Sequence, residues 1–187
     1  TSTDPRANYV KPEFMGSLFL RYLIHVVADA HQPLHTSTMF SNKLYKGNIK
    51  HGDMGGNLIR VTYPDEPKIK NLHSLWDSAL GVYNQHYTYP LDQANTSMIE
   101  GLVTSVMQDY PEDSFGELTK NLDANFWVDE GYSLAKTFVY KDIDVFPTLT
   151  QEYLIDGRKI ARERLALAGY RLYHVLLSLF ETTASEI

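Results

Sequence analysis

The sequence contains no cysteine, which excludes disulfide bridges and thiolate metal sites together. Any metal ligand must therefore be a histidine, an aspartate or a glutamate. Basic charge is also scarce: 17 lysines and arginines stand against 23 aspartates and glutamates, for a formal charge of -6. No broad cationic field exists to hold a polyanion, so a phosphate-bearing partner would need another positive element, and a metal cluster is the candidate. No run approaches the roughly 20 apolar residues of a membrane-spanning helix. The opening residues Thr1-Ser2-Thr3-Asp4-Pro5 do not read as a signal peptide. Internal repeats, low-complexity tracts and dividing linkers are absent as well.

What is present is ordinary globular material. A hydrophobic fraction of 43% over 187 residues suffices for one core and one domain, residues 1-187. Phe14 to Ala30 reads as a helix apolar on most sides, which predicts burial, and Pro33 ends it in a turn. Residues 36 to 53 are polar and loop-like, followed by the turn cluster Gly52-Asp53-Met54-Gly55-Gly56-Asn57. Leu58 to Tyr63, rich in β-branched and aromatic residues, fits a short strand or hairpin arm. Helical patterns return over Asn71 to Tyr83, with Asn71 as N-cap, and over Met98 to Met107, Asn121 to Tyr140 and Asp156 to Thr182. The expected fold class is mainly α.

Two His-x-x-x-Asp pairs, His25/Asp29 and His73/Asp77, place imidazole and carboxylate four residues apart, on one helical face. About half a match is expected by chance, so the pairs count mainly through their setting. His25 and Asp29 interrupt an apolar helix, where an unpaired carboxylate is costly. One isolated pair would sooner be two core residues bonded to each other, but His35 just after Pro33, together with His73 and Asp77, shifts the balance toward a metal. His35, His73 and Asp77 compose two imidazoles and one carboxylate with room for water, the pattern of a catalytic zinc; manganese or iron would also accept these donors. His31 falls one position past the ligand face and reads as a residue behind the ligands or on the surface. His51, His86 and His174 have no carboxylate at helical spacing and are not read as ligands. Trp76 and Trp127 read as core anchors, while the thirteen tyrosines could offer stacking surfaces for nucleobases.

The runs Leu20-Arg21-Tyr22-Leu23-Ile24-His25-Val26-Val27-Ala28-Asp29-Ala30-His31-Gln32-Pro33-Leu34-His35, Gly52 to Asn57, and Asn71-Leu72-His73-Ser74-Leu75-Trp76-Asp77 resemble, in order and spacing, the S1/P1 nuclease family. The likeness continues through Trp127-Val128-Asp129-Glu130, Val139-Tyr140 and the stretch from Arg164 to Leu172. It implies a helical phospholipase C/P1 nuclease-like fold with a short β-hairpin or loop insertion, three zinc ions in a cleft, and cleavage of single-stranded DNA and RNA to 5'-phosphorylated products. Many members also remove 3'-phosphate from nucleotides. By this resemblance His25 and Asp29 bind one zinc, with Asp29 also reaching the third, and His35, His73 and Asp77 hold the second. Asn57, with Gly56 beside it, matches the position that contacts the nucleoside.

The resemblance further implies ligands that precede His25 in the family, so the chain is expected to be the larger, C-terminal part of the domain. It would hold one complete zinc site and part of another, with the N-terminal portion clipped or supplied as a separate chain. A secreted or lysosome-like location is implied, with Asn95 of Asn95-Thr96-Ser97 as glycan acceptor. Two other readings stand beside this one. A zinc-dependent phospholipase C shares the His-x-x-x-Asp pair but carries a closer third histidine followed by glutamate. A non-catalytic, metal-binding helical homologue is the reading from a different class.

Overall fold

In a computed structural model, the described residues are 12-42, 52-62 and 69-184. The chain forms α1 (Pro12–Asp29), α2 (Leu72–Asp77), α3 (Gln93–Asp109), a 3-10 segment (Glu112–Lys120), α4 (Ala124–Leu134) running into a π turn (Ala135–Val139), and α5 (Gln151–Ala184). The mainly helical fold class agrees with the sequence. The strand or hairpin arm does not: among the described residues there is no strand, only an isolated antiparallel bridge between Arg60 and Asn71. Ile59 and Val61 are buried, so their β-branched character serves the core rather than a sheet. Tyr63 and His51 lie outside the described residues.

Helix starts follow side-chain caps. Asn71 accepts the Ser74 N–H at 2.8 Å, while Ser74 Oγ accepts from the Asn71 N–H at 3.4 Å, a capping box that sets α2. Asp92 and Asp123 cap α3 and α4 by accepting the N–H groups of Asn95 and Asn125. Helix α2 stops after six residues, short of the predicted Tyr83, because Ala79, Leu80 and Gly81 all take positive φ. That reversal lets Leu80 sink into the core, where Gly157 of α5 leaves it room: a Cβ there would stand 2.3 Å from Leu80 Cδ2.

The main core gathers Leu34, Ile59, Leu72, Leu75, Trp76 and Leu80 under Val139 and Leu154. Trp76 Nε1 donates to Tyr153 Oη at 3.0 Å, and that hydroxyl donates to the Val139 carbonyl at 3.1 Å, so the core's largest indole is tied through one phenol to the π turn. Trp76 and Trp127 are both buried, as expected of core anchors.

Helix α1 departs from its predicted burial. Phe14, Phe19 and Tyr22 are 63%, 62% and 65% exposed, and among the apolar residues from 14 onward on this helix only Val27 is buried. A helix that is apolar on most sides needs neighbours on most sides. Here α1 packs on α5, which covers one stripe.

Candidate metal centre

Two stretches of backbone build the site. The first is the end of α1. After Asp29 the hydrogen bonding tightens: the His31 N–H donates to the Ala28 carbonyl, that of Gln32 to Asp29 and that of His35 to Gln32, each over three residues. This turn, with Pro33 buried in it, brings His35 back toward the helix face that carries His25 and Asp29. The second stretch is α2, which presents His73 and Asp77 one turn apart.

The two His-x-x-x-Asp pairs meet through His35. Its Nδ1 lies 3.5 Å from Asp29 Oδ2 and its Nε2 lies 3.1 Å from Asp77 Oδ1. Asp77 turns its other oxygen to His73 Nε2 at 3.5 Å, and His25 Nε2 sits 3.2 Å from Asp29 Oδ2. The His35 and His73 rings stack with centroids 4.8 Å apart. Ligand atoms of His35, His73 and Asp77 all lie within 4.8 Å of one another, a set that could hold a metal ion. The structure thus brings all five proposed ligands, His25, Asp29, His35, His73 and Asp77, into one chain of contacts.

The hydrogen-bond partner of His73 agrees with a ligand role. His73 Nδ1 is 2.8 Å from the Gly55 carbonyl, which can only accept, so Nδ1 carries the hydrogen and Nε2 keeps its lone pair for a cation. The hydrogen bond to Asp77 raises the His35 pKa above its ordinary value, with burial opposing and the charge of Asp29 assisting. Burial pushes the Asp77 carboxyl up, but hydrogen bonds from His35 and Gln32, with the two imidazoles' charge, outweigh it and hold the pKa below the usual range. Nitrogen and oxygen donors without sulfur suit a divalent metal such as zinc, manganese or iron.

Several supporting residues were not singled out in the sequence. Gln32 Nε2 donates to Asp77 Oδ1 at 2.8 Å, and its Oε1 accepts the Leu34 N–H, bracing one ligand stretch on the other. Asp53, fully buried, accepts from the N–H groups of Met39, Gly55 and Gly56 at 2.8, 3.1 and 2.9 Å. An aspartate heading a glycine turn is the available signal for that role. Gly55 takes φ 64°, and a Cβ on it would stand 2.5 Å from the Leu34 carbonyl oxygen, so glycine alone permits the approach that delivers its own carbonyl to His73.

His25, Asp29, His35 and Asp77 line a cleft of about 1310 Å³, whose other walls include Tyr83, Tyr87, Tyr89, Tyr170, Tyr173 and Arg164. Gly56 is buried and Asn57 exposed, and neither lines this cleft; Asn57 Nδ2 donates to the Met54 carbonyl at 2.9 Å. Asn95 sits half-buried in the first turn of α3. His31 is not on the surface but 2% exposed, and burial pushes its pKa down to about 4. His174 finds a carboxylate at long range, with Nε2 2.7 Å from Glu112 Oε1.

Fold and site together define a mainly helical protein with a histidine and carboxylate centre at one cleft. The sequence model of the S1/P1 nuclease family matches residues 6-181, and the chain belongs to that family. It is similar to Endonuclease 5 of Arabidopsis thaliana, 27% identical over 86% of this chain and 50% of the relative. It is 29% identical to Endonuclease 2 of the same plant over 86% of the chain and 51% of the relative. Nuclease S1 of Aspergillus oryzae is 26% identical over 82% of the chain and 51% of the relative. The chain spans about half the length of the curated relatives it matches.

Proposed function

We propose that this chain carries one complete zinc site and part of another in a phosphodiesterase that hydrolyses single-stranded DNA and RNA to 5'-phosphorylated products, with 3'-nucleotidase activity at the same centre. The convergence of His35, His73 and Asp77, linked through His35 to Asp29 and His25, carries this reading. His35, His73 and Asp77 hold one ion, and His25 and Asp29 bind another, with Asp29 also reaching the third. Membership of the S1/P1 nuclease family and the names of the relatives support the nuclease assignment.

When bound, zinc supplies positive charge against phosphate and lowers the pKa of water toward neutrality, providing a nucleophile. The chain's own residues do the rest. Asp29 presents a carboxylate oxygen to His35 Nδ1 and orients its ring, leaving Nε2 on the side of Asp77. Gly55 holds the hydrogen on His73 Nδ1. Positive charge concentrated at this one point suits an acidic chain of net charge -6, which has no lysine and arginine field to share the load. The tyrosines of the cleft offer stacking faces for unpaired bases, consistent with a single-strand preference, and Asn57 and Gly56 are assigned to nucleoside contact.

In this reading the chain is the C-terminal part of one S1/P1-type domain. The remaining ligands come from an N-terminal segment, in the same polypeptide or as a separate chain. The protein acts in a secreted or lysosome-like compartment with Asn95 as glycan acceptor. The test is cleavage of a 5'-labelled single-stranded oligonucleotide by the chain combined with that segment, with product ends read by mass spectrometry. Products bearing 5'-phosphate, lost on chelation and on His35→Ala, are expected. Cleavage untouched by chelation and by that substitution would refute the proposal.

A further inference from the structure

We propose that His31 is a positioning residue for the metal centre, the point at which α4 and α5 hold the turn that carries Asp29 and His35. The inference rests on the metal-centre reading above and concerns a residue that binds no ion itself.

His31 Nδ1 lies 2.7 Å from the Val27 carbonyl and therefore donates, which leaves Nε2 as the acceptor for Arg171 Nη1 at 2.9 Å. Its own backbone carbonyl accepts from Arg164 Nε at 3.2 Å. Both arginines are fixed in turn by Glu130 of α4: Arg171 by two parallel bonds of 2.7 and 3.0 Å, Arg164 by one of 2.9 Å. Arg171 Nε also donates to the Leu118 carbonyl, and Trp127 lies against both the His31 ring at 5.0 Å and the Arg171 guanidinium at 5.5 Å. Three elements thus converge on one buried imidazole.

Place in the chain gives the convergence its consequence. His31 stands two residues after Asp29 and four before His35, inside the tight turn whose peptides bond over three residues. Moving its ring or its carbonyl moves the peptides from 29 to 35, and with them the ligands that flank it. A leucine would fill the space more simply. The histidine adds two directional bonds, which set orientation as well as packing.

Cobalt(II) serves as a visible probe of the site. Titrated into the full 187-residue chain, it is expected to bind the parent with a defined absorption spectrum. His31→Leu should bind about tenfold more weakly with an altered spectrum while circular dichroism shows its helices intact, the lower end of what supporting partners of ligands contribute. His31→Gln, whose Oε1 can accept from Arg171, should recover most of the affinity. His31→Asn, whose Nδ2 can donate to Val27 but whose Oδ1 is too short to reach Arg171, should not. Parental affinity and spectrum in His31→Leu would overturn the proposal, as would equal affinities of the Gln and Asn variants; that second comparison decides if His31→Leu loses its helices. A parent that binds no cobalt overturns the metal-centre reading and this inference with it, whereas a binding parent with an unaffected His31→Leu overturns this inference alone.

Discussion

Replacing Gly55 by alanine should damage stability and metal affinity together, because this one residue serves both. Its φ of 64° lies in the left-handed region, where a Cβ costs about 1–2 kcal/mol. The added Cβ would stand 2.5 Å from the Leu34 carbonyl oxygen, a backbone atom that cannot rotate away, and such overpacking costs about 1–3 kcal/mol. A total loss of about 2–5 kcal/mol follows, which for a chain of this size lowers Tm by roughly 4–20 °C. Relief of the clash must move the turn, and with it the Gly55 carbonyl that fixes His73 at 2.8 Å, so zinc affinity should fall about 10- to 100-fold. Urea denaturation of the metal-free chain and a competitive zinc titration measure the two effects separately. A Gly55→Ala chain with parental midpoint and parental zinc affinity would refute the reasoning from backbone to ligand.

Further predictions concern the core, the buried ion cluster and pH. Tyr153→Phe leaves the Trp76 N–H and the Val139 carbonyl without their shared partner and should cost about 1–3 kcal/mol in urea denaturation; a loss below 0.5 kcal/mol, about the size of an ordinary surface substitution, would show that the phenol bridge is incidental. Glu130→Gln withdraws the only carboxylate bonded to Arg164 and Arg171 among the described residues and should destabilise by about 3–5 kcal/mol, visible as an early thermal transition. For the metal-free chain, His35 has a raised pKa, so its contribution is complete below the ordinary 6.5 and is lost as pH rises through the folded value. Asp77 has a lowered pKa, so its contribution is present above the ordinary 3.8 and is lost as pH falls through the folded value. The pair therefore supports the metal-free fold best between these two values, while zinc affinity should rise with pH through and beyond 6.5 as His35 gives up its proton. Denaturation midpoints from about pH 2 to 9, a range that brackets the ordinary aspartate and histidine values, and zinc titrations over its upper half check both trends.

The two His-x-x-x-Asp pairs were legible in the sequence because helical spacing is a local property. His25/Asp29 and His73/Asp77 sit on their helices as the four-residue period requires, and the Asn71 cap placed the second pair in register. What joins the pairs was less legible. The contact of His35 with both carboxylates depends on a turn of three-residue hydrogen bonds, and the Asp53 cradle depends on a contact with Met39, fourteen residues earlier. Pattern alone also misjudged Leu58 to Tyr63, where β-branched residues enter a helical core singly, and α2, which three successive positive φ values cut short. The apolar character of α1 gave its helix correctly but not its exposure, since burial is a property of neighbours. On α5, Arg164 and Arg171, seven residues apart, occupy the buried stripe. Glu130, distant in sequence, bonds both guanidinium groups there.

His35, His73 and Asp77 are proposed to hold a zinc ion. Zinc content by mass spectrometry after equilibrium dialysis of the chain tests this directly, alongside His73→Ala and Asp77→Ala. The account predicts about one tightly held zinc per chain, as one catalytic-type site of two imidazoles and a carboxylate implies, with the ion lost in both variants. A parent chain that emerges without zinc, or variants that retain it, would contradict the account.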